Sequence, residues 1–489
     1  MTDAQFLEWL QDDTAHRTAL VEVQVNVAGE EVTRYIASRS YVTGPLEVPP
    51  NTAYLALVTN GPALTEQISL TSEAGLSVGD IELANTDGSL DSWLTDVWRN
   101  RPIKVWFGDL RWPRADFRLV FDGLVADVGG AGPESINLAL RDKMGRLDTP
   151  ITEAKLGGTT PNKDVTLPVP FGECHNVTPL LTNPATLEYG FLGAVESSFE
   201  VRTNGKPIAV ALNDQAGRFN LTTPPYSVAI TVSVQGDKGG GYVPRIAPLV
   251  QRIATAYGKA ADRFTLADLD LANLAAFDAT HQQPVGLYVA DRMNQAQAIQ
   301  QLAASVGAQA VMSSTGQLRL VQIALPAAGI PVEIGPAQMI EGSLRQVARL
   351  PVVAAVKIAY DRNYTLQPSL TTSIPAEHAD MYATEWMTVT AVDEVVRARY
   401  RLTDDPPQIE TCLKQESDAA AEAARRLALN KVQRTTYEFE GMPEMMMLEL
   451  GQAVVLRHRR YGLQDGVPGV VVLLSRRWLD GRVTVGVLV

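Results

Sequence analysis

Short apolar runs, alternating or continuous, occur throughout the first 150 residues. They are rich in Val, Ile, Thr and Tyr and are separated by Gly, Pro and Asn, a pattern typical of antiparallel strands in a sandwich or barrel. The predicted strands are Ala19–Val27, Val32–Ser38, Thr52–Val58, Ile68–Thr71, Arg101–Phe107, Arg118–Val125 and Ser135–Arg141. Two short helices are predicted beside them, Phe6–Leu10 and Ser89–Val97, the latter with Ser89 as its N-cap.

The apolar positions change to a helical period between residues 243 and 310. Ile246–Tyr257 is amphipathic, and Asn294–Val306 is a stronger helix because Asn294 and Gln297 form a capping-box pair and Gly307 follows the last turn. A predicted hairpin comes next, with strands Gln309–Ser313 and Gln317–Ile323. We expect an α+β insertion here.

The β pattern returns after residue 332. Predicted strands are Ala354–Tyr360, Thr435–Glu440, Ala453–His458, Gly469–Leu474 and Arg482–Val487. One predicted helix, Ser417–Asn430, interrupts them, with acids in its first half and arginines later, as the helix dipole favours. The predicted fold is therefore mainly β with an α+β insertion, in which two β-barrel or sandwich domains bracket smaller domains.

The chain has 489 residues, which at roughly 100–200 residues per domain indicates several domains. We expect an amino-terminal β-rich domain at 1–156, a connector arm with a small β domain at 157–240, the α+β insertion at 241–335 and a carboxy-terminal β-rich domain at 336–489. The arm is assigned to Gly157–Val169, which is rich in Gly, Pro, Thr and Asn. Asn204–Gly205 is a predicted hairpin turn.

The charge balance is acidic, with 42 Lys and Arg against 55 Asp and Glu, a net charge of −13 at pH 7. This argues against a broad basic face for phosphate backbones. The amino terminus carries acids where a secretory signal carries bases, and no uncharged apolar run reaches the roughly 18–20 residues of a membrane span. We therefore expect folding in a cytoplasm and no membrane-spanning segment.

Cofactor motifs are sparse. Cys174 and Cys412 are too few for a disulfide framework or an iron–sulfur cluster, and the five histidines have no metal-ligand spacing. The glycine-rich segment Gly236–Gly241 has its lysine in the wrong place for a P-loop and favours a flexible joint instead. We expect no cofactor and no metal.

Two surfaces are candidates for binding. An aromatic cluster, Trp93, Trp98, Trp106, Phe107 and Trp112, could stack on a sugar, although core packing or burial at a subunit boundary is favoured. Five bases stand out in the acidic chain: Arg457, Arg459, Arg460, Arg476 and Arg477. They form either a solvated face or a candidate interface that complements an acidic neighbouring subunit.

Several blocks of turn and strand residues lie in order along most of the chain. They are Gly79–Gly88 (GDIELANTDG) with Trp93; Gly108–Pro113 (GDLRWP) running into Phe121–Gly123 (FDG); Pro170–Glu173 (PFGE) with Asn176, Val177 and Pro179; Ala303–Gly307 (AASVG) with Gly316–Leu320 (GQLRL); and Leu450–Val454, Asp480–Val483 and Gly486–Leu488. In number and order they resemble the baseplate hub, or tail-tip, proteins of long-tailed, siphovirus-like bacteriophages, the broad class of the T4-type hub.

The resemblance implies a virion structural protein rather than an enzyme. It implies two tail-tube-like domains in one chain, so that a homotrimer presents six of them to a six-fold tube above and a three-fold tip below. The implied partners are the distal tail protein, the tape-measure protein and a central spike or receptor-binding proteins. DNA would meet the chain only in passage through the lumen. The implied location is the distal tail tip, after synthesis in the host cytoplasm, with roles in host attachment and genome ejection.

Two other functions stay open. One is a cell-wall glycan-degrading enzyme, with aromatic residues near Trp106 as a platform and a carboxylate pair as acid and nucleophile. The other is a carbohydrate-binding adhesin of the virion. A turbidity or glycan-release assay would separate the enzyme from the structural protein, and glycan-array binding would favour the adhesin.

Overall fold

A computed structural model describes residues 1–70, 75–132, 134–225, 230–367, 370, 374–403 and 405–489. Its strands are, in chain order, β1 Arg17–Val27, β2 Glu30–Ala37, β3 Tyr41–Val42, β4 Ala53–Ala56, β5 Val58–Asn60, β6 Ala63–Gln67, β7 Gly75–Val78, β8 Ile81–Ala84, β9 Pro102–Asp109, β10 Arg118–Gly132, β11 Ser135–Arg141, β12 Val169–Val177, β13 Leu180–Asn183, β14 Glu188–Gly190, β15 Ser197–Thr203, β16 Lys206–Pro207, β17 Val210–Asn213, β18 Arg218–Leu221, β19 Ile230–Gly236, β20 Gly286–Val289, β21 Ala308–Met312, β22 Leu318–Gln322, β23 Val332–Ile334, β24 Arg345–Arg349, β25 Ala355–Tyr360, β26 Met387–Val392, β27 Gln408–Glu410, β28 Thr435–Gly441, β29 Ala453–Leu456, β30 Val467–Arg477 and β31 Arg482–Leu488.

The α-helices are α1 Asp3–Leu10, α2 Ile246–Ala256, α3 Leu271–Thr280, α4 Gln295–Ala304, α5 Ala376–Ala383, α6 Glu394–Tyr400 and α7 Glu416–Asn430. Short 3₁₀ helices cover Asp91–Thr95, Arg114–Asp116, Lys143–Leu147, Asp214–Ala216, Leu266–Asp268, Pro336–Gln338 and Pro443–Met447. Within the described ranges, no helix is both long and apolar enough to cross a membrane.

The chain forms two compact units, each assembled from separate stretches. The first unit comprises Met1–Gly145, Val311–Leu350 and Gln433–Val489, and the second comprises Arg146–Ala310 and Pro351–Val432. The predicted class, mainly β with helices between the β-rich ends, is confirmed. The described strands form open sheets, so the barrel form of the β domains is not found in this part of the chain.

One sheet of the first unit has nine strands in the order β3-β4-β2-β1-β9-β10-β11-β8-β5. β1 lies in its middle, antiparallel to β2 and β9, with Leu20 opposite both Ala37 and Trp106. Its residues alternate between the core and the other face for much of their length, as the sequence pattern predicts. α1 buries Phe6 and Leu10 against this sheet's core.

The other large sheet of the first unit has the order β23-β29-β30-β31-β28-β24 and includes strands from both ends of the chain. β6 joins it, pairing antiparallel with β30 from Gln67 opposite Leu473 to Ala63 opposite Arg477. The prediction of a strand at Ile68–Thr71 is therefore wrong. The observed strand, β6, lies just before it and ends at Gln67, because its position is set by its distant partner β30. Thr71 lies outside the described residues.

The second unit has three smaller sheets and most of the helices. Their orders are β16-β15-β19-β12-β20, β13-β14-β18-β17 and β26-β25-β27. The capping box of Asn294 and Gln297 is present at the start of α4, and Gly307 has a φ of 65° after its end. Asn204 and Gly205 both have positive φ in the β15–β16 turn, as predicted.

Two local predictions are wrong. The helix predicted at Ser89–Val97 is a 3₁₀ helix of five residues, Asp91–Thr95; its N-cap is Leu90, whose N–H donates to the Asn85 side chain, and not Ser89. The carboxy-terminal half also contains α5 and α6 besides the predicted α7. α6 is short and buries none of its side chains, so its sequence has no amphipathic pattern from which a helix could be predicted. Asp393 is its N-cap and accepts a hydrogen bond from the Val396 N–H at 3.1 Å.

Candidate functional site

Three of the five candidate arginines lie in the loop that joins β29 to β30, residues 457–466. Leu463 is buried and fixes the loop, since its N–H donates to the Arg460 carbonyl at 3.2 Å and its own carbonyl accepts from the His458 N–H at 3.1 Å. Tyr461 turns the chain with a φ of 62°. Arg459 and Arg460 are exposed as a result. Neither forms an ion pair with any described residue.

Arg457 is held more closely than its two neighbours. Its guanidinium donates to the Gln464 carbonyl at 3.3 Å and lies 3.9 Å from the Glu333 carboxylate. Its side chain is about half exposed, so this ion pair contributes at most about 1 kcal/mol. Arg457 therefore serves mainly to shape the loop that presents Arg459 and Arg460.

A pocket of about 630 Å³ lies beside this loop in the first unit. Its lining residues are Pro336, Met339, Ile340, Glu341, Gly342, Leu344, His458, Arg459, Arg460 and Tyr461. One wall is apolar and the other carries the two arginines, with a single carboxylate, Glu341. Such a mixture suits a protein surface with both apolar and acidic side chains.

Arg476 is in a different environment from the loop arginines. It is buried in the first unit, where its Nη1 lies 2.6 Å from the Glu66 carboxylate and its other nitrogens donate to the carbonyls of Met446 and Leu448. The second Glu66 oxygen accepts from the Ser314 N–H at 2.7 Å. Arg476 is thus committed to contacts within its own chain.

Arg477 lies at the far end of β30 from the loop. It is exposed and 3.9 Å from Asp480. β30 has 11 residues, and at about 3.3 Å per residue the strand separates Arg477 from the loop by roughly 30 Å. The five arginines therefore divide into an exposed loop group, one buried group and one isolated exposed group, and their role at an interface stays a prediction.

The aromatic cluster belongs to the core of the first unit. Trp93, Trp98 and Phe107 are 9%, 1% and 0% exposed. Trp106 and Trp112 are partly buried and pack against the buried residues around them. The Arg114 guanidinium covers the Trp106 ring at 3.8 Å. Core packing, part of the favoured interpretation, is confirmed for Trp93, Trp98 and Phe107, which are too deeply buried to form an open platform for a sugar.

Neither cysteine is placed for chemistry. Both are free and fully enclosed in the second unit, and burial raises the pKa of Cys412 to about 11 and that of Cys174 to about 12. Both are therefore protonated at neutral pH, whereas a nucleophile or metal ligand must be a thiolate. The described residues contain no group of three or more His, Cys, Asp or Glu side chains able to hold a metal ion.

His175 follows Cys174 but is not paired with it. Its Nδ1 lies 3.3 Å from the Ser233 hydroxyl and its ring stacks on Tyr382. Burial lowers the pKa of His175, so the neutral ring predominates at pH 7. The side chain of His378 lies outside the described residues.

The glycine-rich segment Gly236–Gly241 is bound to α2. Arg252 donates to the carbonyls of Asp237 and Gly241 at 2.8 and 2.5 Å, and lies 3.2 Å from the Asp237 carboxylate. The segment thus directs carbonyl oxygens toward a cation, the opposite of a phosphate-binding loop. Its role as a flexible joint stays a prediction.

Two of the sequence blocks meet in the first unit. The Asp122 N–H of the FDG block donates to the Ser314 carbonyl at 2.9 Å, and its carboxylate pairs with Lys143 at 3.0 Å. Gly316 of the GQLRL block has a φ of 76°, and a Cβ there would lie 2.5 Å from the Asp122 carbonyl oxygen. Asp122 of one block and Gly316 of the other therefore lie in one close contact between the FDG strand and the β21–β22 turn.

No protein-family model matches this chain, and no curated protein sequence does. Among solved structures, it is similar to the 43 kDa tail protein of prophage MuSo2 from Shewanella oneidensis, at 12% identity over 97% of this chain and 98% of that one, with a TM-score of 0.35. A tail protein from Neisseria meningitidis MC58 is similar at 11% identity over 96% of each chain, with a TM-score of 0.37. A chain of the virion of a native gene transfer agent particle is similar at 14% identity over 71% of this chain and 91% of that one, with a TM-score of 0.42.

Proposed function

We propose that this protein is a structural component of a phage tail, and that it acts as a homotrimeric baseplate hub at the distal end. The observation that carries the proposal is the union of both chain ends in one unit: β6 from the amino-terminal part pairs with β30 near the carboxy terminus, and their sheet shares one compact unit with the nine-stranded sheet. A chain that contributes two sheets can offer six from three copies.

The shared core of these sheets supports the same role. Trp478 packs against the core clusters of both sheets, and its ring lies 5.3 Å from that of Phe107. Such a connection fixes the two sheets as one unit, which an adaptor between rings of different symmetry requires. The blocks that resemble hub proteins support the proposal further, because two of them meet at Asp122 and Gly316.

The work of such a hub is assembly, not turnover. It would close the tail tube, join it to the distal tail and tape-measure proteins, and carry the central spike or receptor-binding proteins used in host attachment. The net charge of −13 suits a wall past which DNA moves during genome ejection, since acidic side chains do not retain phosphates. The arginines of the β29–β30 loop are the candidate contacts with a neighbour.

Immunogold electron microscopy on the phage particles tests this function, using antibody raised against the chain. We expect gold at the distal end of the tail, and none with pre-immune serum. Particles that stay unlabelled while the protein is free in the lysate would overturn the proposal. A glycan-release assay would then test the enzymatic alternative.

A further inference from the structure

The amino-terminal helix α1 binds an arginine on one of its sides. The Arg118 guanidinium lies 4.3 Å from the centre of the Phe6 ring, and its Nη1 is 2.6 Å from the Asp3 carboxylate. The Phe6 ring thus contacts the face of the guanidinium, and the Asp3 carboxylate, one helical turn away, binds its edge. These two interactions favour arginine over lysine.

A second part of the same helix offers the same groups without an arginine. Trp9 and Trp112, with ring centres 4.5 Å apart, line an open cleft of about 570 Å³. The carboxylates of Glu8 and Asp12 stand at its border. We call this cleft, with Trp9, Trp112, Glu8 and Asp12, the α1 notch.

Few cations face the α1 notch. Asp116, which also lines it, already pairs with the Met1 ammonium at 3.1 Å. Asp12 accepts hydrogen bonds from the N–H and hydroxyl of Thr14, and the nearby Arg111 is itself held by both oxygens of Asp109. In the described part of the chain, neither Glu8 nor Asp12 has a guanidinium or ammonium within ion-pair distance.

The chain also carries the matching cations. Arg459 and Arg460 are exposed on a fixed loop and have no ion pair with a described residue, although Glu341 lines the same pocket. Both the loop and the α1 notch belong to the first unit. One compact unit therefore presents an acidic, aromatic acceptor surface and a basic donor loop, and the two do not form an ion pair with each other.

We propose that the α1 notch of one copy receives the Arg459–Arg460 loop of a second copy. The guanidinium of one arginine would lie against the indole of Trp112 while Glu8 and Asp12 accept its N–H groups. Donor and acceptor are different surfaces, so the contact is heterologous and repeats around a ring. This inference rests on the proposed homotrimer and names the contact that closes it.

Sedimentation velocity on the full chain provides the test. We expect wild-type trimers at micromolar concentration, and at least a tenfold weaker association for R459E/R460E and for E8R/D12R, because each places like charges across the contact. R39E and E30R are matched controls, each reversing one exposed charge outside both surfaces, and should leave association unchanged.

Charge exchange makes the test specific to this pairing. The quadruple variant E8R/D12R/R459E/R460E restores opposite charges at every contact and should form trimers again. In an equimolar mixture, each double variant has opposite charges only toward the other variant. We expect mixed dimers that do not close into a trimer, because a ring of three must contain one contact between two copies of the same variant. A monomeric wild type, undiminished trimers in either double variant, or no recovery in the quadruple variant would each overturn the proposed contact.

Failure of this contact and failure of the tail function can be told apart. Gold at the tail tip together with trimers that ignore the charge reversals would reject the α1 notch and keep the hub. Unlabelled particles would reject the hub whatever the sedimentation result.

Discussion

Glu66 and Arg476 form a buried ion pair of 2.6 Å across 410 residues of sequence. Their side chains are only 9% and 7% exposed, and each has further partners: the Ser314 N–H for Glu66, and the carbonyls of Met446 and Leu448 for Arg476. The pair therefore binds β6, the β21–β22 hairpin and the 3₁₀ helix before β29 to one another.

Removing either partner should destabilise the first unit strongly. Glu66→Ala and Arg476→Ala each leave the other charge buried and unpaired, which costs about 3–5 kcal/mol. Urea denaturation followed by circular dichroism measures the loss. The double variant should cost less than the sum of the two single changes, and a purely additive result would contradict the ion pair.

Asp109 should make stability depend on acid pH. The Arg111 guanidinium, with the Trp9 indole and the His16 N–H, holds the pKa of the Asp109 carboxyl well below its ordinary value of 3.8. The contribution of the ionised Asp109 carboxylate to the free energy of unfolding is therefore fully present above pH 3.8. Below that pH the contribution declines by about 1.4 kcal/mol per pH unit, until the pH reaches the pKa of Asp109 in the folded protein.

The variant Asp109→Asn tests this pH dependence in urea denaturation between pH 7 and pH 2.5. At pH 7 it should be less stable than the wild type by about 2–3 kcal/mol, and the difference should narrow in acid. Asp13→Asn, which changes an exposed carboxylate, is the control. A gap that is the same at both ends of the range would exclude Asp109 as the titrating group.

Both cysteines should resist thiol reagents in the folded protein. Burial keeps Cys174 and Cys412 protonated at pH 8 and excludes the reagent. With Ellman's reagent we expect negligible release of chromophore from the native chain and two equivalents in guanidinium chloride. Rapid labelling of the native chain would mean that the second unit opens readily around one of them.

Charge reversal at the β29–β30 loop should block incorporation into tails. Phage complemented with R459E/R460E should yield tails that lack the protein, since the loop's two free guanidinium groups become carboxylates. R39E, which reverses an exposed arginine outside the candidate interface, serves as the control and should be incorporated normally. Infectious particles at wild-type titre from the loop variant would mean that Arg459 and Arg460 form a solvated face and no interface.

Elements built from local contacts were predictable from sequence. α4 follows from Asn294 and Gln297 at its start and Gly307 after its end, and these residues contact one another within a few positions. β6 was misplaced because its bounds depend on β30, about 400 residues away. No local periodicity contains that partner.

The candidate site divides in the same way. The exposure of Arg459 and Arg460 follows from a short polar loop between two apolar strands, which the sequence contains. The burial of Arg476 depends on Glu66, and no spacing connects the two residues. Trp112 was a candidate aromatic residue from the sequence, but its pairing with Trp9 was not predicted, because the two rings come together only when α1 packs on the nine-stranded sheet.

The pairing of β6 with β30 also sets the order in which the protein can be completed. At about 5–20 residues per second, Arg476 leaves the ribosome roughly 20–80 s after Glu66, its partner 410 residues earlier. Throughout that time β6 can pair with β7 but not with β30, and the Glu66 carboxylate lacks the Arg476 guanidinium. The amino-terminal strands of this sheet therefore keep an unpaired edge until the carboxy-terminal strands are made, and we expect translation speed and chaperones to affect the yield of folded protein.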